Sequence, residues 1–132
     1  MSAGFEDPVG GVSRFITLIK HYQESPEFDN LPLPLTFFSG DAFNPSMEST
    51  VTKGTHMPPI LNIVKTDIAC LGNHDLDFGV KKFMELAEQC KFPWLCANIV
   101  DPAIRGPIGK VKGTHILESN GVKVGVIGLV ER

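Results

Sequence analysis

Five consecutive positions of this chain, Asn73 to Asp77, hold an amide, an imidazole and two carboxylates, directly after the apolar run that ends at Leu71. A histidine paired with a carboxylate can hold its charge near neutral pH and act as an acid or an electrostatic partner. His74 and Asp77 are candidates for that pair. A second polar cluster, Ser39-Gly40-Asp41, follows the run Leu35-Thr36-Phe37-Phe38. A carboxylate such as Asp41 can bridge two divalent cations with its two oxygens. An amide oxygen such as that of Asn73 is a neutral ligand that leaves a cation strongly electrophilic. Glycine stands before each polar cluster, where it lets the backbone turn sharply and approach a ligand closely.

Taken singly, these residues have ordinary uses. Ser39-Gly40-Asp41 is a common turn or helix cap, Asn73 or Asp75 could cap the helix that follows, and a lone His74 would be a satisfied loop histidine. Their order, at the ends of two apolar runs, favours the chemical reading. Asp75 itself reads as a supporting or surface residue and not as a ligand.

The elements that must position these residues are legible as patterns. Val12, Phe15, Ile16, Ile19 and Tyr22 recur at helical spacing behind Gly10-Gly11, and the three prolines of residues 26–34 predict a loop. Leu35–Phe38, Asp67–Leu71 and Trp94–Ala97 predict three short buried strands. Pro58 and Pro59 suit the first turn of a helix through Ile60, Leu61 and Val64, and Val80, Phe83, Met84, Ala87 and Cys90 predict another. A Pro/Gly-rich loop runs through Gly109. Asn120-Gly121, between two apolar segments, is a two-residue hairpin signal, and the segment from Val122 to Val130 is apolar enough to be buried on both faces. Helices alternating with strands, then a hairpin, predict an α/β sandwich with a mixed sheet. Ligands in open α/β sheets collect beyond the carboxyl ends of strands, so the two polar clusters could share one crevice.

Composition narrows the partners. At 132 residues and 42% hydrophobic the chain can bury a core, and its net charge of −3 with scattered Lys and Arg gives no footprint for nucleic acid. No segment approaches the roughly 20 apolar residues of a membrane span. Cys70, Cys90 and Cys96 are an odd set without metal-knot spacing, so reduced thiols and a cytoplasmic location are expected.

The two clusters together, Phe38-Ser39-Gly40-Asp41 and Leu71-Gly72-Asn73-His74-Asp75-Leu76-Asp77-Phe78-Gly79, resemble the calcineurin-like metallophosphoesterases, within them the 5'-nucleotidase branch. The similarity runs from about residue 9 to the end, with residues 1–8 expected to form a disordered tail. The resemblance implies a metallophosphoesterase-like α/β sandwich that hydrolyses phosphate monoesters, most naturally nucleoside monophosphates, with two divalent ions among Mn, Zn, Mg, Fe or Ca. It implies that Asp41 bridges both metals and that Asn73 ligates one of them and touches substrate. His74 would stabilise or protonate the leaving oxygen, with Asp77 orienting its imidazole.

The family also places an Asp-x-His motif upstream of the Gly-Gly helix and a Gly-His-x-His motif far downstream. Neither occurs among these residues, and His21, His56 and His115 lack the spacing to replace them. The expectation is therefore a catalytic domain truncated at both ends. Two protein ligands would hold divalent metal weakly or not at all. A non-catalytic short form that binds a partner, and a small-ligand α/β module, are the alternatives.

Overall fold

The structure, a computed structural model, describes residues 10–131. The expected tail at residues 1–8 lies outside them. The chain divides between Pro34 and Leu35 into two compact units.

The first unit holds helix α1, Val12–Glu24, as its apolar spacing predicts. Gly10 and Gly11 enter it with φ of 95° and 93°. His21 lies in its last turn, where it stacks edge-on against Phe28 at 5.4 Å. The proline-rich loop contains one short turn of 3-10 helix, Pro26–Phe28, capped by the Ser25 hydroxyl.

The second unit carries a three-stranded parallel sheet in the order β1-β2-β3, formed by Phe37–Phe38, Ile68–Cys70 and Trp94–Leu95. Helices α2 (Met47–Thr52) and α3 (Met57–Val64) connect β1 to β2, and α4 (Val80–Ala87) leads from β2 to β3. Pro58 sits in the first turn of α3, where its missing N–H costs nothing. Two antiparallel ladders follow: β4 with β5, Val100–Asp101 and Gly106–Pro107, and β6 with β7, Thr114–Ser119 and Val122–Ile127. The mixed parallel and antiparallel α/β character is as expected, spread among the described residues over three separate sheets. Asn120 and Gly121 both take positive φ, 52° and 77°, as the primed hairpin turn requires.

Two expectations of burial fail. The first strand is not a buried one, for Phe37 is 51% exposed and its neighbours are only half-buried. The last strand is not buried on both faces, for Val122 and Ile127 are 62% and 59% exposed. Among the described residues β7 pairs along its length only with β6, so its composition is not matched by neighbours.

The core lies under the sheet, where Phe43, Phe83, Phe92 and Trp94 pack together. Phe43 stands 5.1 Å from Trp94, and Phe83 meets Trp94 edge-on at 5.3 Å. Edge-on and offset rings match the positive edge of one to the negative face of another. Phe43 is two residues past Asp41, so this cluster anchors the loop that carries the first polar residue.

Candidate active site

Strands β1 and β2 run parallel with Phe38 opposite Ala69, so the loops that leave their carboxyl ends are neighbours. The loops cross at glycine. A Cβ on Gly40 would stand 2.8 Å from Gly72 Cα, and one on Gly72 would fall on the backbone nitrogen and Oδ1 of Asp41. The crossing also drives Asp41 to a φ of 57°, a left-handed conformation that few non-glycine residues adopt and that Asp tolerates. From there the Asp41 carboxylate accepts the backbone N–H of His74 at 2.9 Å.

Asp75 holds this crossing from beneath. It is 1% exposed, which corrects the surface alternative drawn from the sequence. Its Oδ2 accepts the N–H groups of Gly72 at 2.9 Å and Asp41 at 3.0 Å, and its Oδ1 accepts that of Phe43 at 2.9 Å. Burial pushes its carboxyl above the usual range, and the backbone donors pull it back. The bond from Gly72 is half of a capping box, with Asp75 in the third position of the turn. That spacing was the sequence signal for its structural role.

Residues Asn73–Leu76 form a turn of 3-10 helix, in which side chains three apart eclipse one another. His74 Nδ1 therefore meets Asp77 Oδ2 at 2.8 Å. The hydrogen bond to Asp77 raises the His74 pKa above its ordinary value; burial opposes this, and the negative charges of Asp77, Asp41 and Asp75 add to the rise. The Asp77 carboxyl is lowered in turn, first by His74 and then by Asn44. Asn44 donates from Nδ2 to the same Oδ2 at 2.5 Å. The sequence reading did not select Asn44, which stands before Pro45 and looks like a plain turn residue.

The structure thus brings together Asp41, His74 and Asp77. Asn73 is exposed on the same turn, next to His74. His56 stays apart as the residue before α3, with Nδ1 2.7 Å from the Thr52 hydroxyl, and His115 lies within β6. Asp41 and Asn73 offer hard oxygen donors of the kind divalent ions take. Among the described residues no three His, Cys, Asp or Glu side chains converge on a metal position. The residues present fit part of a metal shell.

No family model matches the chain. A mouse 5'-nucleotidase is 32% identical over 130 residues, covering 94% of this chain and 21% of the relative. The solved 5'-nucleotidase precursor from Thermus thermophilus superposes with a TM-score of 0.78 at 24% identity, over 97% of this chain and 24% of the other. A calcineurin-like phosphoesterase from Bacillus subtilis superposes with a TM-score of 0.68 at 24% identity, over 95% and 41% of the two chains. The chain shares the fold of a calcineurin-like phosphoesterase and is similar in sequence to 5'-nucleotidases. It spans about a fifth of the length of the 5'-nucleotidases it matches. The loop crossing of Gly40-Asp41 with Gly72-Asn73-His74 lies inside that shared segment.

Proposed function

We propose that this chain contributes to a metal-dependent phosphoesterase that hydrolyses phosphate monoesters, with nucleoside 5'-monophosphates as the substrate class. One observation carries the reading: the His74–Asp77 pair sits on the same loop crossing as the Asp41 carboxylate. The relatives' names supply the substrate class.

Asp77 accepts the proton on Nδ1, which fixes the tautomer and leaves Nε2 as the nitrogen that can donate to a leaving oxygen. The hydrogen bond to Asp77, helped by the nearby carboxylates, favours the charged imidazole, the form that would suit a phosphate ester's negative charge. Asp41 and Asp77 are both exposed and would repel a phosphate anion unless positive charge stood between. Asp41 and Asn73 are the residues that would hold divalent ions there. Such ions lower the pKa of bound water and neutralise phosphoryl oxygens.

Release of inorganic phosphate from a nucleoside monophosphate, measured with added Mn²⁺ or Zn²⁺, tests the proposal. Asp41→Asn and His74→Asn are each expected to abolish the release. The thin donor set favours one second reading, a non-catalytic binding module of the same fold. Nucleotide binding by calorimetry with no phosphate release, with either metal, would establish that reading instead.

A further inference from the structure

Asp77 Oδ2 receives two donors, His74 Nδ1 at 2.8 Å and Asn44 Nδ2 at 2.5 Å. A carboxylate can only accept, so the amide nitrogen of Asn44 must be the atom that faces it. The two donors come from different loops, 33 residues apart for Asn44 and Asp77, and they converge on one oxygen. Asp77 and His74 are both substantially exposed, 39% and 44% for their side chains, so packing alone does not fix their rotamers. A second donor to Oδ2 supplies what packing does not.

We propose that Asn44 is a positioning residue, which holds the Asp77 carboxylate so that its Oδ2 stays aligned on His74 Nδ1. The loop that carries Asp41 then acts twice. It presents the Asp41 carboxylate toward the site, and three residues later it locks the orientation of the imidazole across it. Asn44 has a rigid mounting for this task, because its neighbour Phe43 is fully buried and its backbone N–H is tied to Asp75. The inference deepens the phosphoesterase reading, since aligning His74 matters for catalysis only if His74 acts on substrate. The alignment itself can be measured without any substrate.

Two variants and two readouts test it. Asn44→Ala removes the donor, and Asn44→Asp keeps the shape while replacing the donor with a second carboxylate, which guards against simple misfolding. Proton and nitrogen NMR of the His74 ring in the unliganded protein should show a protected Nδ1–H in the parent and its loss or broadening in both variants. Where phosphate release is observed, kcat should fall roughly tenfold, with KM nearly unchanged, as is typical when a group orienting a catalytic residue is removed. An unchanged Nδ1–H signal in a folded variant overturns the role of Asn44, whatever the activity. Loss of the signal in a protein that hydrolyses no phosphate ester leaves Asn44 in its positioning role and overturns the phosphoesterase reading.

Discussion

The buried carboxylate of Asp75 accepts the backbone N–H of Asp41 at 3.0 Å, across 34 residues of sequence. Through this bond and its partner from Gly72, one side chain fixes the relative height of the two loops that carry every candidate site residue. A third bond, from Phe43, ties the same carboxylate to the aromatic core. The position of Asp41 is thus set from inside the protein, and its own carboxylate is left facing out, where it accepts the N–H of His74.

Asp75→Ala leaves three backbone N–H groups without an acceptor, two of them in fully buried bonds. Each unsatisfied buried donor costs about 1–3 kcal/mol, so the loss should exceed about 3 kcal/mol in urea unfolding. Asp75→Asn should cost less, about 1–3 kcal/mol, because its amide oxygen can replace one carboxylate oxygen while its NH₂ confronts a donor. If Asp75→Ala unfolds at the parent's urea midpoint, the carboxylate does not hold the crossing.

Gly72→Ala is a purely steric test, because Gly72 has an ordinary negative φ of −94° and pays no backbone strain. The added methyl would fall on Asp41 itself. Overpacking of this kind costs about 1–3 kcal/mol, and here the displaced group is the candidate metal carboxylate. Gly79→Ala is the control, with a φ of 86° and nothing within 4 Å of the new Cβ. It should cost about 1–3 kcal/mol from backbone conformation and leave phosphate release intact. Equal effects of the two variants on activity would contradict a crossing that depends on close approach.

Much of this arrangement was legible in the sequence because the signals are local. Apolar runs that stop at Gly-Asp and Gly-Asn-His end the strands where expected, and Asn120-Gly121 gives the hairpin turn. Helix α2 was not legible, since Met47 and Val51 are 86% and 84% exposed and draw no apolar stripe. Its one sign was the Ser46 hydroxyl, which caps it by accepting the N–H of Ser49 at 3.0 Å. The burial of Asp75 and the reach of Asn44 to Asp77 are tertiary facts with no periodicity behind them. Composition overstated β7, because an apolar segment is buried only where other elements cover it.

Phe43→Ala and Phe83→Ala separate core packing from site geometry. Both rings are fully buried in one aromatic cluster, 6.0 Å apart, and either truncation should cost about 3–5 kcal/mol. Phe43, however, lies between Asp41 and Asn44 in the chain and its backbone is tied to Asp75. At temperatures where both variants remain folded, Phe43→Ala should reduce phosphate release further than Phe83→Ala. Matching activities at matched folded fraction would show that the cluster stabilises the unit without tuning the site.

The His74–Asp77 pair has a defined pH window. Its two members shift in opposite directions, His74 above 6.5 and Asp77 below 3.8. The stability from His74 is fully present below the unfolded histidine pKa and is lost as pH rises through the raised folded value. That from Asp77 is present above the unfolded carboxyl pKa and is lost as pH falls through the depressed one. Both are therefore complete between about pH 4 and pH 6.5, the unfolded reference values. NMR titration of the His74 ring should give a midpoint above 6.5, and Asp77→Asn should move it down because the accepting charge is gone. Asn44→Ala should leave the sign of that shift unchanged, since the Asp77 charge remains. A His74 midpoint that stays put in Asp77→Asn would show that the 2.8 Å contact does not couple the two groups in solution.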